Sequence, residues 1–310
     1  MQGIELSRAF FEEYGKPMLE KDFAQYIDRI AVGLVGHGSE CFGFDDEIST
    51  DHDFAPGFCI WLTDADEEEF GFKLFRAYSK LPKEFRGVKC VEKSALGSNE
   101  KGVRRISEFY SAYTGRKGEP VTWQDWLYTP SHYFAEATNG EVFCDPLGEF
   151  SRIRNVIKHG MPEDVRLKRL ASCALHAAQA GQYNYKRCIA HGELAAARLA
   201  LDDFVRYASE MVFLLEKRHA PYYKWIFRSM RELTNLSYMA DKLTALSTLP
   251  SDETLKIELL IEEISVEFIN EFKRQEITEA TCTFLESHAY SINDMISDGE
   301  IRNLHIYYKE

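Results

Sequence analysis

A chain of 310 residues has room for two domains, and its 45% hydrophobic and 13% aromatic content supports packed cores and excludes a disordered chain. A formal net charge of −13 speaks against a broad grip on nucleic acid, which needs a basic face. Seven cysteines, an odd number without any Cys-x-x-Cys pair, argue against a disulfide framework and against structural zinc.

Residues 1–5 lack the basic and apolar regions of a signal peptide, and no apolar run approaches the ~20 residues needed to span a bilayer. The expectation is a cytoplasmic protein with no membrane partner.

In chain order, Leu6, Phe10, Phe11 and Tyr14 share one helical face, and a second helix starts near Pro17. Residues 29–35 read as a buried strand and residues 58–62 as another. The acidic run 64–69 opens a helix, since carboxylates favour helix N-termini. Residues 66–130, least legible beyond 82, are read as an insertion of mixed structure within a first domain spanning 1–150. A helix over 131–138 ends at the turn pair Asn139-Gly140, followed by a short strand over 141–145 with Asp145 at its end. Beyond 150 the pattern turns helical, with helices predicted over 164–180, 185–191, 194–217, 222–241, 252–274 and 276–295. The fold class expected is α+β: a mixed sheet with flanking helices over 1–150, then an all-α bundle over 151–310.

The chemistry concentrates in residues 36–54. Gly38 and Ser39 follow an apolar run, and their small size lets backbone N–H groups and one hydroxyl approach a phosphate chain. On a strand, Asp51 and Asp53 would point the same way, with Cα atoms roughly 6.5 Å apart. Two carboxylates that close repel unless a cation neutralises them. Mg²⁺ suits such a pair, because it takes a few carboxylates plus nucleotide oxygens. The plainer reading is a polar turn before a strand. Asp45, Asp46 and Glu47 read as a solvated loop or a helix cap.

Val35-Gly36, Gly38-Ser39 and Asp51-His52-Asp53 together resemble the signature of the DNA polymerase β-like nucleotidyltransferase superfamily. The wording from Gly38 to Asp53, with Asn139-Gly140-Glu141-Val142-Phe143-Cys144-Asp145 and Ala220-Pro221-Tyr222-Tyr223-Lys224-Trp225, is similar to an uncharacterised bacterial branch known as a domain of unknown function. The resemblance implies transfer of a nucleoside monophosphate from an NTP, ATP foremost, with Mg²⁺ or Mn²⁺ as cofactor. It implies that Gly38 and Ser39 hold phosphates and that Asp51 and Asp53 hold metal. Asp145 is then a candidate third carboxylate or base, with a simple turn role as the alternative. In such proteins a helical domain completes the acceptor pocket, so Arg187 and Lys224 are candidates to neutralise triphosphate oxygens and Glu193 to act as acceptor-side base. On composition alone these three belong to a solvated bundle face. The acidic balance favours a small-molecule or protein acceptor over a long polynucleotide. The alternative function is a catalytically silent nucleotide-binding regulator, or a toxin–antitoxin-type partner module.

Overall fold

The computed structural model describes residues 2–46, 55–89 and 101–307. The chain divides into two compact units, one of residues 1–125 with 129–160, the other of residues 126–128 with 161–310. The fold class is α+β, a small mixed sheet in the first unit and helices throughout the second.

The first unit is organised on β1 (Ala31–Leu34), whose four residues are all buried. β1 pairs antiparallel with β2 (Cys59–Leu62) on one side and with β6 (Glu141–Cys144) on the other. β5 (Gly102–Arg105) adds to β2 in parallel, giving the order β5-β2-β1-β6. Two short strands, β3 (Glu84–Phe85) and β4 (Val88–Lys89), form a separate hairpin. A strand in the main sheet thus comes from residues that read from sequence as an insertion.

Side-chain alternation divides the sheet into two apolar faces. Val32, Phe58, Ile60 and Leu62 pack with Leu6 and Phe10 of α1 (Gly3–Phe10), Phe11 of the following π-helical turn, Leu19 of α2 (Lys16–Asp22), and Leu74 of α5 (Phe72–Tyr78). On the opposite face Trp61 stacks on Phe150 of α9 (Glu149–His159) at 3.9 Å between centroids and meets Phe109 of α6 (Ile106–Thr114) edge-on. The result is a helix–sheet–helix sandwich in which both faces of the two central strands, β1 and β2, are buried, so these two read as continuous hydrophobic runs. Gly33 is required there, because a Cβ would lie 2.4 Å from the Glu141 carbonyl oxygen.

The acidic run does open a helix. Thr63 caps α4 (Asp64–Asp66) through its hydroxyl, and the helix continues through a π turn into α5. Three of its five carboxylates pair with arginines: Arg29 holds Asp66 and Glu69, and Arg105 holds Glu67. The remaining helices of this unit include the short α3 (Ser39–Phe42), α7 (Trp123–Tyr128), which crosses into the second unit, and α8 (Ser131–Thr138).

In the second unit α10 (Glu163–Ala177) is buried on almost every side. It carries Lys168, which is 0% exposed and donates to Asn293 Oδ1 at 2.8 Å, Arg302 O at 3.2 Å and Leu304 O at 2.6 Å. That tie holds α16 (Leu285–Asp294) and α17 (Gly299–Asn303) against α10. A π turn, α11 (Lys186–Ala190), α12 (Leu194–Leu215), α13 (Tyr223–Met230), α14 (Met239–Thr248) and α15 (Thr254–Arg274) complete the unit.

Two helices are shorter than their sequence periodicity suggests. Residues 222–241 break after Met230, where the Glu216 carboxylate accepts the N–H groups of Asn235 and Leu236, both at 2.7 Å. Residues 276–284 are not helical. There the buried His288 ring donates from Nε2 to the Cys282 carbonyl and accepts at Nδ1 from the Thr278 hydroxyl, each at 2.9 Å, which fixes an irregular strap. Among the described residues no helix is long and apolar enough to cross a membrane.

Candidate functional site

The site begins where β1 ends. Gly36 and Gly38 have φ of 127° and 112°, a region L side chains rarely adopt, so the chain can leave the strand, turn at His37 and enter α3 at Ser39. Gly43, at φ 69°, ends α3 in the left-handed conformation. The turn is supported from the side by α8 and the residues after it. Gly36 N–H donates to Asn139 Oδ1 at 2.9 Å, and Asn139 Nδ2 donates back to the Gly36 carbonyl at 2.7 Å. The imidazole Nδ1 of His37 lies 3.3 Å from Oε1 of the buried Glu136.

A second support comes from the β5 side. The Lys101 ammonium pairs with Glu40 of α3 at 2.9 Å and donates to the Ala55 carbonyl at 2.5 Å. The chain therefore returns to α3 two residues past Asp53. Asp45 accepts Gly3 N–H at 2.8 Å, so the helix-cap reading holds, though the helix capped is α1, far away in sequence.

Gly38 and Ser39 sit together at this end of the sheet. Asp51, Asp53 and His52, the centre of the sequence motif, lie outside the described residues, as does Glu47. Asp145 is not brought to the turn. β6 runs antiparallel to β1 with Leu34 opposite Glu141 and Val32 opposite Cys144, so Asp145 leaves the strand at the end away from Gly36, roughly 10–13 Å along it. Its carboxylate is occupied in starting α9, accepting Gly148 N–H at 3.0 Å and Ser151 N–H at 2.8 Å. Asp145 thus stands apart from the Gly38-Ser39 turn, while Asp51 and Asp53 lie outside the described residues. The carboxylate β6 does bring to the turn's end is Glu141, paired with Arg8 of α1.

Arg187, Glu193 and Lys224 belong to the second unit, and all three are exposed. The Arg187 guanidinium lies 5.2 Å from the Tyr183 ring centroid. Glu193 is the residue from which α12 starts, and Lys224 stands on α13 beside the tilted ring pair Tyr222–Tyr223, 4.4 Å apart. Tyr185, by contrast, is a core residue whose phenol is pushed up in pKa by burial. Among the described residues no group of three or more His, Cys, Asp or Glu side chains is placed to hold a metal ion.

The first unit thus defines a mixed-sheet domain with a glycine-rich turn at the end of its central strand. A family model described as "Domain of unknown function (DUF4037)" matches residues 126–226, which include both Asn139–Asp145 and Ala220–Trp225. Among solved structures, the chain is similar to a nucleotidyltransferase-like protein from Exiguobacterium sibiricum 255-15. The two share 10% identity over 92% of this chain and 90% of that one, with a TM-score of 0.35, a similarity too weak to assign function. The comparison with curated proteins found no match.

Proposed function

We propose that the protein is a metal-dependent nucleotidyltransferase that moves a nucleoside monophosphate from an NTP to a small-molecule or protein acceptor. The observation that carries this reading is the turn at the end of β1. Two positive-φ glycines deliver Ser39 to the start of α3, and Lys101 ties that same helix to Ala55, just past the Asp51-x-Asp53 motif. Gly38 and Ser39 would cradle phosphate oxygens through backbone N–H groups and the hydroxyl. Asp51 and Asp53 would hold Mg²⁺ or Mn²⁺, which would neutralise the charge that builds up during phosphoryl transfer. In this reading Arg187 and Lys224 neutralise triphosphate oxygens, Glu193 is the acceptor-side base, and ATP is the first NTP to try.

The test is incubation with labelled NTPs and Mg²⁺ or Mn²⁺, following pyrophosphate release and label on protein or small molecules. Asp51→Asn and Asp53→Asn should each abolish turnover while leaving the unfolding midpoint unchanged. Wild-type turnover by both variants would refute the metal assignment. Nucleotide binding without turnover in the wild type would identify a silent regulator instead.

A further inference from the structure

Asn139 occupies a particular place in the sheet. β1 and β6 pair with Gly33 opposite Val142 and Leu34 opposite Glu141, and continuing that register by two residues sets Gly36 opposite Asn139. An antiparallel ladder carried on to this pair would keep Gly36 in strand geometry. Gly36 has instead turned out of strand geometry, at φ 127°, and the backbone pairing ends. The Asn139 carboxamide takes over. Its oxygen accepts the Gly36 N–H and its nitrogen donates to the Gly36 carbonyl, so one side chain stands in for a whole backbone partner.

The replacement is itself held in place. Arg154 Nη2 donates to the carbonyls of Asn139 at 3.0 Å and Gly140 at 3.2 Å from α9. Gly140, at φ 63°, lies so close to β1 that a Cβ would fall 2.0 Å from the Leu34 carbonyl oxygen. The Asn-Gly pair is therefore locked to the end of β1 by backbone contact on one side and a guanidinium on the other.

We propose that Asn139 is a positioning residue for nucleotide binding: it satisfies both polar groups of Gly36 in the turned conformation and so fixes the direction in which the 36–39 turn faces the NTP phosphates. The inference rests on the nucleotidyltransferase reading for its ligand, but not for the bracket itself. A preset turn spares the cost of ordering it when the nucleotide arrives. A side chain that only stabilised the fold would change the unfolding midpoint without separating KM from kcat.

The experiment compares wild type, Asn139→Ala and Asn139→Asp well below their unfolding midpoints. Amide exchange is measured at Gly36 and in β2, and steady-state kinetics with Mg·ATP. In Asn139→Ala, Gly36 exchange should rise at least about tenfold with β2 unchanged, because its acceptor is gone. KM for Mg·ATP should rise by about tenfold while kcat stays within about twofold. Asn139→Asp keeps the acceptor, so Gly36 should stay protected, but without the donor to the Gly36 carbonyl KM should still rise. Unchanged Gly36 exchange in Asn139→Ala would overturn the bracket. Faster exchange with an unchanged KM would overturn its role toward nucleotide. A wild-type protein that neither binds nor turns over Mg·ATP would refute the functional reading and the nucleotide role with it, while the exchange result would still decide the bracket.

Discussion

Lys101 and Glu40 meet at 2.9 Å with side chains only 10% and 11% exposed, forming a nearly water-free ion pair that joins α3 to the residue preceding β5. Removing one partner takes the opposite charge away from a group that is almost fully buried. Lys101→Met and Glu40→Gln should each destabilise by about 3–5 kcal/mol, while the double variant should recover most of that loss. Urea unfolding of the four proteins gives the coupling directly. Additive losses would show that the pair is well solvated.

The two carboxylates of the β6 region differ in their partners, Asp145 accepting from the start of α9 and Glu141 pairing with Arg8 of α1. Asp145→Ala removes two hydrogen bonds to the start of α9 and should cost about 1–2 kcal/mol, whereas Asp145→Asn keeps an acceptor and should cost less than about 1 kcal/mol. Neither should change the metal-ion dependence of turnover. Glu141→Gln, at the turn's end of the strand, should lower kcat/KM by about tenfold or more, about 1.4 kcal/mol of transition-state stabilisation. A loss of turnover in Asp145→Asn with Glu141→Gln active would reverse the assignment.

Glycines with similar dihedrals should respond very differently to a methyl group. Gly140→Ala forces a Cβ to within 2.0 Å of the Leu34 carbonyl oxygen, whereas Gly43, also in the left-handed region, has nothing within 4 Å of that position. Gly43→Ala should cost only the left-handed penalty of about 1–2 kcal/mol. Gly140→Ala should cost more than about 3 kcal/mol because backbone must shift as well. Thermal midpoints measured side by side test the ranking.

Burial lowers the Lys168 ammonium from its ordinary range to about 8. In the unfolded chain the same amine titrates near 10.4. Between these values the unfolded state binds more protons, so the Lys168 contribution to stability grows as pH rises from about 8 to 10; below 8 both states are charged and the full desolvation cost is present. The unfolding free energy of wild type minus that of Lys168→Met should therefore move in favour of wild type across that window. A flat difference would mean that Asn293 and the carbonyls of Arg302 and Leu304 keep the amine fully charged at high pH.

Arg187, Glu193 and Lys224 are exposed and carry no core packing, so Arg187→Ala and Lys224→Ala should leave the unfolding midpoint within about 0.5 kcal/mol of wild type. If they neutralise triphosphate oxygens, KM for the nucleotide should rise in both variants. A lowered midpoint would return them to a structural role in the bundle.

Local periodicity carried much of the fold. The run over 58–62 becomes β2, the helix over 131–138 is reproduced to the residue, and the Asn139-Gly140 turn stands where turn chemistry places it. What sequence could not disclose depends on partners distant in the chain. β5 is short and polar in part, with Arg104 and Arg105, and is a strand only because β2 offers it an edge. Residues 276–284 lose their helix to a buried histidine at 288, and 231–238 lose theirs to Glu216. The Gly-Ser turn was legible from residue type. Its supports, Asn139, Glu136 and Lys101, were not, because each side chain is ordinary until the fold sets it opposite Gly36, His37 or Glu40.

The bracket between Gly36 and Asn139 spans 103 positions of sequence. During synthesis the glycine turn leaves the ribosome long before the asparagine that will hold it, so the early chain can pair β1 with β2 but cannot yet set the turn. Closing so long a loop is slow relative to local pairing. The nascent protein should therefore pass through an interval in which the sheet has begun to form and nucleotide cannot yet be gripped, and any fragment ending before Asn139 should remain permanently in that condition.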